Sequence, residues 1–164
     1  MRRIGLLSDT HSYLPENVFT HFADVDTILH AGDIGTMDVL LQLEKFKPTK
    51  AVYGNVDNYE IRMATKEVLI FEIEKVKIVM LHIGGSPPKY NVESKKIIEK
   101  ETPHLFICGH SHILKVQFDK ELQVLFMNPG ACGNFGWHKV KTLIKFDINN
   151  DHIENLQVIE LGKK

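Results

Sequence analysis

The chain has 164 residues, a formal net charge of −1 and two cysteines. That length fits one domain over residues 1–164, with a core large enough to hold a rigid polar site without disulfides. The balanced charge excludes the broad basic surface of a general nucleic-acid binder or of a protein held on anionic membrane. Cys108 and Cys132 are too few for a disulfide framework and read as reduced, packed thiols. The apolar run Ile4–Leu7 is shorter than the ~7–15 residues of a signal core, and no run approaches the ~18 residues of a membrane span. The expectation is a cytoplasmic protein without membrane association.

In chain order, Ile4–Leu7 reads as a short buried strand. Pro15 then opens a helix with Val18, Phe19 and Phe22 on one face. Thr27–Leu29 is a second strand, and Thr36 caps a helix whose stripe is Val39, Leu40, Leu43 and Phe46. Ala51–Tyr53 makes a third strand. Val68–Ile73 and Val76–Leu81 flank Glu74-Lys75 as a hairpin, and a polar helix covers Val92–Lys100. Strand-like runs come next at Leu105–Cys108, Lys115–Phe118, Val124–Met127, Thr142–Phe146 and Ile153–Ile159. An α/β half succeeded by a strand-rich half predicts two mixed β-sheets packed as a sandwich flanked by helices. A single doubly wound sheet is the alternative, and the strand-rich second half weighs against it.

The chemistry lies at the C-terminal ends of the strands. Ile4-Gly5-Leu6-Leu7 runs into Ser8-Asp9-Thr10-His11, and Ile28-Leu29 into His30-Ala31-Gly32-Asp33. Ala51-Val52-Tyr53 runs into Gly54-Asn55. Ile78–Leu81 ends at His82, and Leu105–Cys108 at Gly109-His110-Ser111-His112. Five apolar strands thus each deliver an oxygen or imidazole ligand past their last residues, the edge where α/β sheets build sites. On extended backbone, Asp9 with His11, and His110 with His112, would face one cleft. Oxygen and imidazole donors suit manganese, iron or zinc and argue against a thiolate structural zinc. Two divalent ions held by Asp9, Asp33 and neutral groups, with a bridging hydroxide, leave about one net positive charge, which attracts a phosphate ester.

The ordered set Asp9-x-His11, Gly32-Asp33, Gly54-Asn55, His82 and Gly109-His110-Ser111-His112 resembles the calcineurin-like metallophosphoesterases, and most of all their small YfcE-type phosphodiesterase branch. The resemblance implies a two-sheet sandwich and a binuclear phosphoesterase, more a diesterase than a monoesterase, attacking phosphorus with a metal-bridging hydroxide. It implies one ion on Asp9, His11, Asp33 and His112, and a second on Asp33, Asn55, His82 and His110. Asp33, Asn55 and His82 carry the catalytic assignment too. Manganese is the expected ion, with iron, zinc or nickel as alternatives, and the expected partner is a small phosphoester substrate. A homodimer is common among similar proteins and is carried as an expectation. Two departures stand out: Val56 replaces the histidine that many relatives have after Gly-Asn, and Ile83 replaces a glycine.

Several other residues have two readings. His30 is either a supporting neighbour of Asp33 or a hydrogen-bonded core residue. Asp57 and His138 are candidates for substrate or supporting contacts, as are Asn134 and Trp137. The Gly84–Tyr90 loop is either a substrate rim or an ordinary connection, and Asn128–Gly133 either offers backbone groups to the site or is a tight turn. His21, His104 and His152 read as structural or surface residues. A phosphoaspartyl transferase would want an aspartate at position 11, a metallo-β-lactamase-type hydrolase would extend the His-x-His pair, and no Gly-x-x-x-x-Gly-Lys loop exists. The competing function is a non-catalytic scaffold of the same fold, like the small retromer subunit.

Overall fold

The computed structural model describes residues 1–164. In chain order the elements are β1 (Arg2–Leu7), α1 (Asn17–His21), β2 (Thr27–His30), α2 (Met37–Phe46), β3 (Thr49–Ala51), α3 (Tyr59–Ala64), β4 (Val68–Ile73) and β5 (Val76–Leu81). They continue with β6 (Gly85–Ser86), β7 (Lys89–Tyr90), α4 (Val92–Glu101), β8 (Leu105–Ile107), β9 (Leu114–Asp119), β10 (Val124–Pro129), β11 (Val140–Asn149) and β12 (His152–Lys163). One five-stranded sheet has the order β12-β11-β1-β2-β3 and the other β4-β5-β8-β10-β9. Both are mixed: β1, β2 and β3 run parallel, as do β5, β8 and β10, with antiparallel strands outside them.

Side-chain alternation makes the sandwich. Ile4 and Leu6 of β1 face inward with Leu29, Ile144 and Phe146, and pack on Ile78, Met80, Ile107 and Met127 of the other sheet. Leu7, Ile28 and Leu143 point the other way, onto Val18, Leu40, Leu43 and Ile61 of α1, α2 and α3. Val79, Phe106 and Phe126 form the outer face of the second sheet, covered by Ile98 of α4. No helix is long and apolar enough to cross a membrane.

The fold corrects several local expectations. The third strand is Thr49–Ala51, not Ala51–Tyr53, because its register with β2 ends at the His30↔Ala51 pair. Val52 N still donates to His30 O at 3.1 Å, but its bridge is to Lys66, and the Tyr53 amide donates to Lys66 O at 3.0 Å. Pro15 precedes α1 rather than opening it: the helix starts at Asn17, and the Pro15 carbonyl accepts from the Val18 amide at 3.1 Å. Thr36 occupies the N-cap of α2, but its side chain makes no capping bond.

Candidate metal centre

The parallel strands of both sheets end at one edge, and the loops leaving β1, β2, β3, β5 and β8 meet there. Backbone bonds tie these loops together: Asp9 N donates to Gly32 O at 2.9 Å, His11 N to Asp33 O at 3.0 Å, and Gly109 N to His82 O at 3.0 Å. Other bonds cross between the sheets, among them that from His110 N to Asp9 Oδ2 at 3.2 Å.

Two clusters of potential ligands result, Asp9 with His11 and His112, and Asp33 with His82 and His110, the donor atoms of each lying within 4.8 Å of one another. Asp33 Oδ2 stands between them, 3.5 Å from His11 Nε2 and 3.1 Å from His82 Nε2. Asp9 Oδ1 lies 3.1 Å from His112 Nε2. Asn55 joins the second cluster, its Oδ1 3.1 Å from His110 Nδ1.

The residues adopt these positions by a backbone other than the extended one read from spacing. Asp9, His11, Asp33, His110 and His112 all have positive φ, between 44° and 69°. Left-handed backbone costs a non-glycine residue about 1–2 kcal/mol, and such strain concentrates at functional sites. Close approach sets the neighbouring glycines. A Cβ on Gly54 would stand 2.0 Å from Asp33 Oδ1, and one on Gly109 2.1 Å from Ser8 Oγ.

Hydrogen bonding fixes which atoms are free. His82 Nδ1 donates to Ala31 O at 2.8 Å, so Nε2 presents its lone pair to the cleft. Asp9 Oδ2 accepts from Ser8 Oγ at 2.6 Å and from His110 N, leaving Oδ1 without a partner. Asp9 Oδ1, His11 Nε2 and His82 Nε2 are buried and unpartnered, although His82 Nε2 lies at hydrogen-bond distance from Asp33 without the alignment of a bond. Converging unpaired donor atoms of this kind fit a divalent cation, which would supply their missing partner.

The electrostatics are those of a site for which a cation and a proton compete. Burial disfavours charge on His82, but the carboxylates of Asp33 and Asp9 outweigh it and raise its pKa. Burial opposes the Asp33 charge as well, and His82 overrides it, holding the carboxyl below its ordinary range. Burial dominates at His11 and lowers its pKa, keeping the imidazole neutral as a ligand must be.

The supporting residues now take definite places. His30 is fully buried. Its Nδ1 accepts from Gly32 N at 3.1 Å, so Nε2 donates to Thr10 Oγ1 at 2.9 Å, which in turn donates to Ile34 O. It braces the β1 and β2 loops and does not reach the cleft. Asp57 is buried and accepts from the amides of Ile34 (3.1 Å), Gly35 (2.8 Å) and Gly54 (2.7 Å). Its carboxylate clamps the Asp33 loop to the Asn55 loop, the supporting one of the two roles open to it. His138 Nε2 donates to Gly133 O at 2.7 Å, its Nδ1 is buried, and the ring packs edge-on against His112, a contact that supports a ligand of the first cluster. Trp137 is wholly exposed. Cys108 and Cys132 are buried thiols whose pKa burial pushes up to about 12 each, and they take no part in the clusters.

Sequence reasoning missed Phe135. Its ring lies 4.8 Å from that of His11, with most of its surface exposed at the cleft. Only its place two residues after Gly133, in the glycine-rich loop, hinted at this.

Residues 1–151 match the model of the calcineurin-like phosphoesterase superfamily domain. A probable metallophosphoesterase of Methanothermobacter thermautotrophicus is 36% identical over 135 residues, covering 78% of this chain and 76% of that protein. A phosphodiesterase of Methanocaldococcus jannaschii is 28% identical over 141 residues, covering 79% and 84%. Among solved structures, an archaeal phosphodiesterase superposes with a TM-score of 0.78 at 24% identity, covering 97% of this chain and 99% of its own. Zinc-bound Vps29 of Entamoeba histolytica superposes with a TM-score of 0.74 at 16% identity, covering 98% of each chain.

Proposed function

The chain belongs to the calcineurin-like phosphoesterase superfamily, and from that membership we propose that it is a phosphodiesterase that works with two divalent ions, manganese by preference, on a small phosphodiester. The observation that carries this reading is the convergence of Asp9 Oδ1, His11 Nε2 and His82 Nε2, all buried and all without a hydrogen-bond partner. In this reading Asp9, His11, Asp33 and His112 hold one ion, and Asp33, Asn55, His82 and His110 hold the other. When bound, the ions supply an activated water and neutralise charge on the phosphoryl oxygens. The mixture of carboxylate, amide and imidazole donors suits manganese as it does iron or zinc, and the Methanocaldococcus jannaschii relative supports a diester.

The chain's own residues do the rest. Val56 N donates to Asp33 Oδ1 at 3.1 Å, which leaves Oδ2 to serve both clusters. Ala31 O and Asp57 hold His82 and the Gly54 turn in place, which orients the ligand atoms. A scaffold role draws on the Vps29 likeness, but at 16% identity that likeness is one of fold alone. Turnover decides between the two. With added manganese the protein should hydrolyse bis-p-nitrophenyl phosphate faster than p-nitrophenyl phosphate. Faster hydrolysis of the monoester would overturn the diester assignment, and no turnover of either would favour the scaffold.

A further inference from the structure

Two cavities flank the His82–His110 side of the centre, and their charges differ. One, of about 380 Å³, is lined by Asn55 and His82 together with Arg62, Glu67 and Glu93, one guanidinium against two carboxylates. The other, of about 340 Å³, is bounded by His110, by Lys89 of the β6–β7 ribbon and by Lys115 of β9, two ammonium groups with no carboxylate among its lining residues. Both volumes lie in the ~300–1,000 Å³ range of small-molecule sites. Lys115 Nζ donates to Pro87 O at 3.0 Å, which steadies the ammonium and leaves further N–H groups for a ligand. Gly84, Gly85 and Gly109 contribute walls without side chains, so a ligand can approach the backbone closely.

We propose that the cavity walled by Lys89 and Lys115 is a subsite for a second phosphate group on the substrate. The inference rests on the phosphodiesterase reading and names the substrate class: a small diester that carries another phosphate beside the scissile one. A dianion is repelled by Glu67 and Glu93 on one side and attracted by the lysines on the other, so the charge contrast also sets the direction in which the substrate lies. The balanced charge of the whole chain provides no extended basic track for a polynucleotide.

The test compares thymidine 5′-(p-nitrophenyl phosphate) with the same ester bearing a 3′-phosphate, on manganese-loaded protein. Their leaving groups are identical, so the ratio of kcat/KM reads the second phosphate alone. We expect a preference of about tenfold for the 3′-phosphorylated ester, expressed in KM and weakened by salt. Lys89→Ala with Lys115→Ala should bring the ratio close to one, and Lys89→Arg should keep it. Damage to folding would lower both rates and leave the ratio intact. A ratio of one in the wild type, or one that survives the double substitution, overturns the subsite. A thymidine tetranucleotide cleaved better than the 3′-phosphorylated ester overturns the small-molecule assignment. If neither ester is turned over, the phosphodiesterase reading fails, and calorimetry still tests the cavity: lysine-dependent preference for thymidine 3′,5′-bisphosphate over the 5′-monophosphate upholds the subsite, and equal binding overturns it.

Discussion

The backbone amide of Val56 donates to Asp33 Oδ1 at 3.1 Å. Position 56 thus supports the carboxylate that stands between the clusters, while its half-exposed valine side chain can offer a leaving group no proton. Asp57, the nearest carboxyl in sequence, is turned onto three amides. A positioned general acid contributes about 10²–10⁴-fold where an alkoxide must depart. Rates across substituted phenyl and alkyl diesters should therefore fall steeply with leaving-group pKa. Val56→His keeps the backbone bond and should flatten the slope. A shallow slope in the wild type would identify a donor elsewhere.

Asp33 and Asp57 should separate function from stability. Asp33→Asn removes the shared charge and should reduce both ion occupancy and turnover more than Asp57→Asn does. Asp57→Asn leaves a buried amide facing backbone donors, at a cost of about 2 kcal/mol. For a chain of this length that lowers the Tm by roughly 4–8 °C. Metal analysis, rates and thermal melts on matched variants measure all three effects. The opposite ranking in turnover would contradict the role given to Asp33.

Gly54 tests the close approach. A Cβ there would stand 2.0 Å from Asp33 Oδ1. The same Cβ would stand 2.4 Å from the Asp33 backbone nitrogen, so Gly54→Ala should shift the whole Asp33 loop, weaken ion binding and lower the Tm. Two ions bound at wild-type affinity would contradict the packing.

His30 makes a pH-dependent contribution. Burial lowers its pKa from 6.5 to about 4, so between those values the unfolded chain binds a proton that the folded chain does not. The contribution is complete above the unfolded value and is lost as pH falls from about 6.5 to about 4, by up to about 1.4 kcal/mol per pH unit. In the metal-free protein, NMR should find the His30 ring still neutral at about pH 5. Protonation near its ordinary pKa would contradict its burial between Thr10 and Gly32.

Much of this site was legible because each polar group came directly after a short apolar strand. The hairpin of β4 and β5 was legible for a related reason, its alternation matching the Val68↔Leu81 to Ile73↔Val76 register. The small helix α3 was not. Only Ile61 of its six residues is buried, so it has no apolar stripe, and its one signal was Asn58, whose side chain accepts from Ile61 N at 3.1 Å. The strand-spacing argument placed Asp9 with His11 for a reason that the left-handed backbone replaces. Asp57 could not be read either, since its three partners are main-chain amides that carry no sequence signature.

The most direct test of the account is the rate of bis-p-nitrophenyl phosphate hydrolysis by chelated protein as manganese is added back. We predict negligible turnover without metal and a rise that saturates at two ions per chain. Turnover that survives exhaustive chelation, or its absence once two ions are bound, would contradict it.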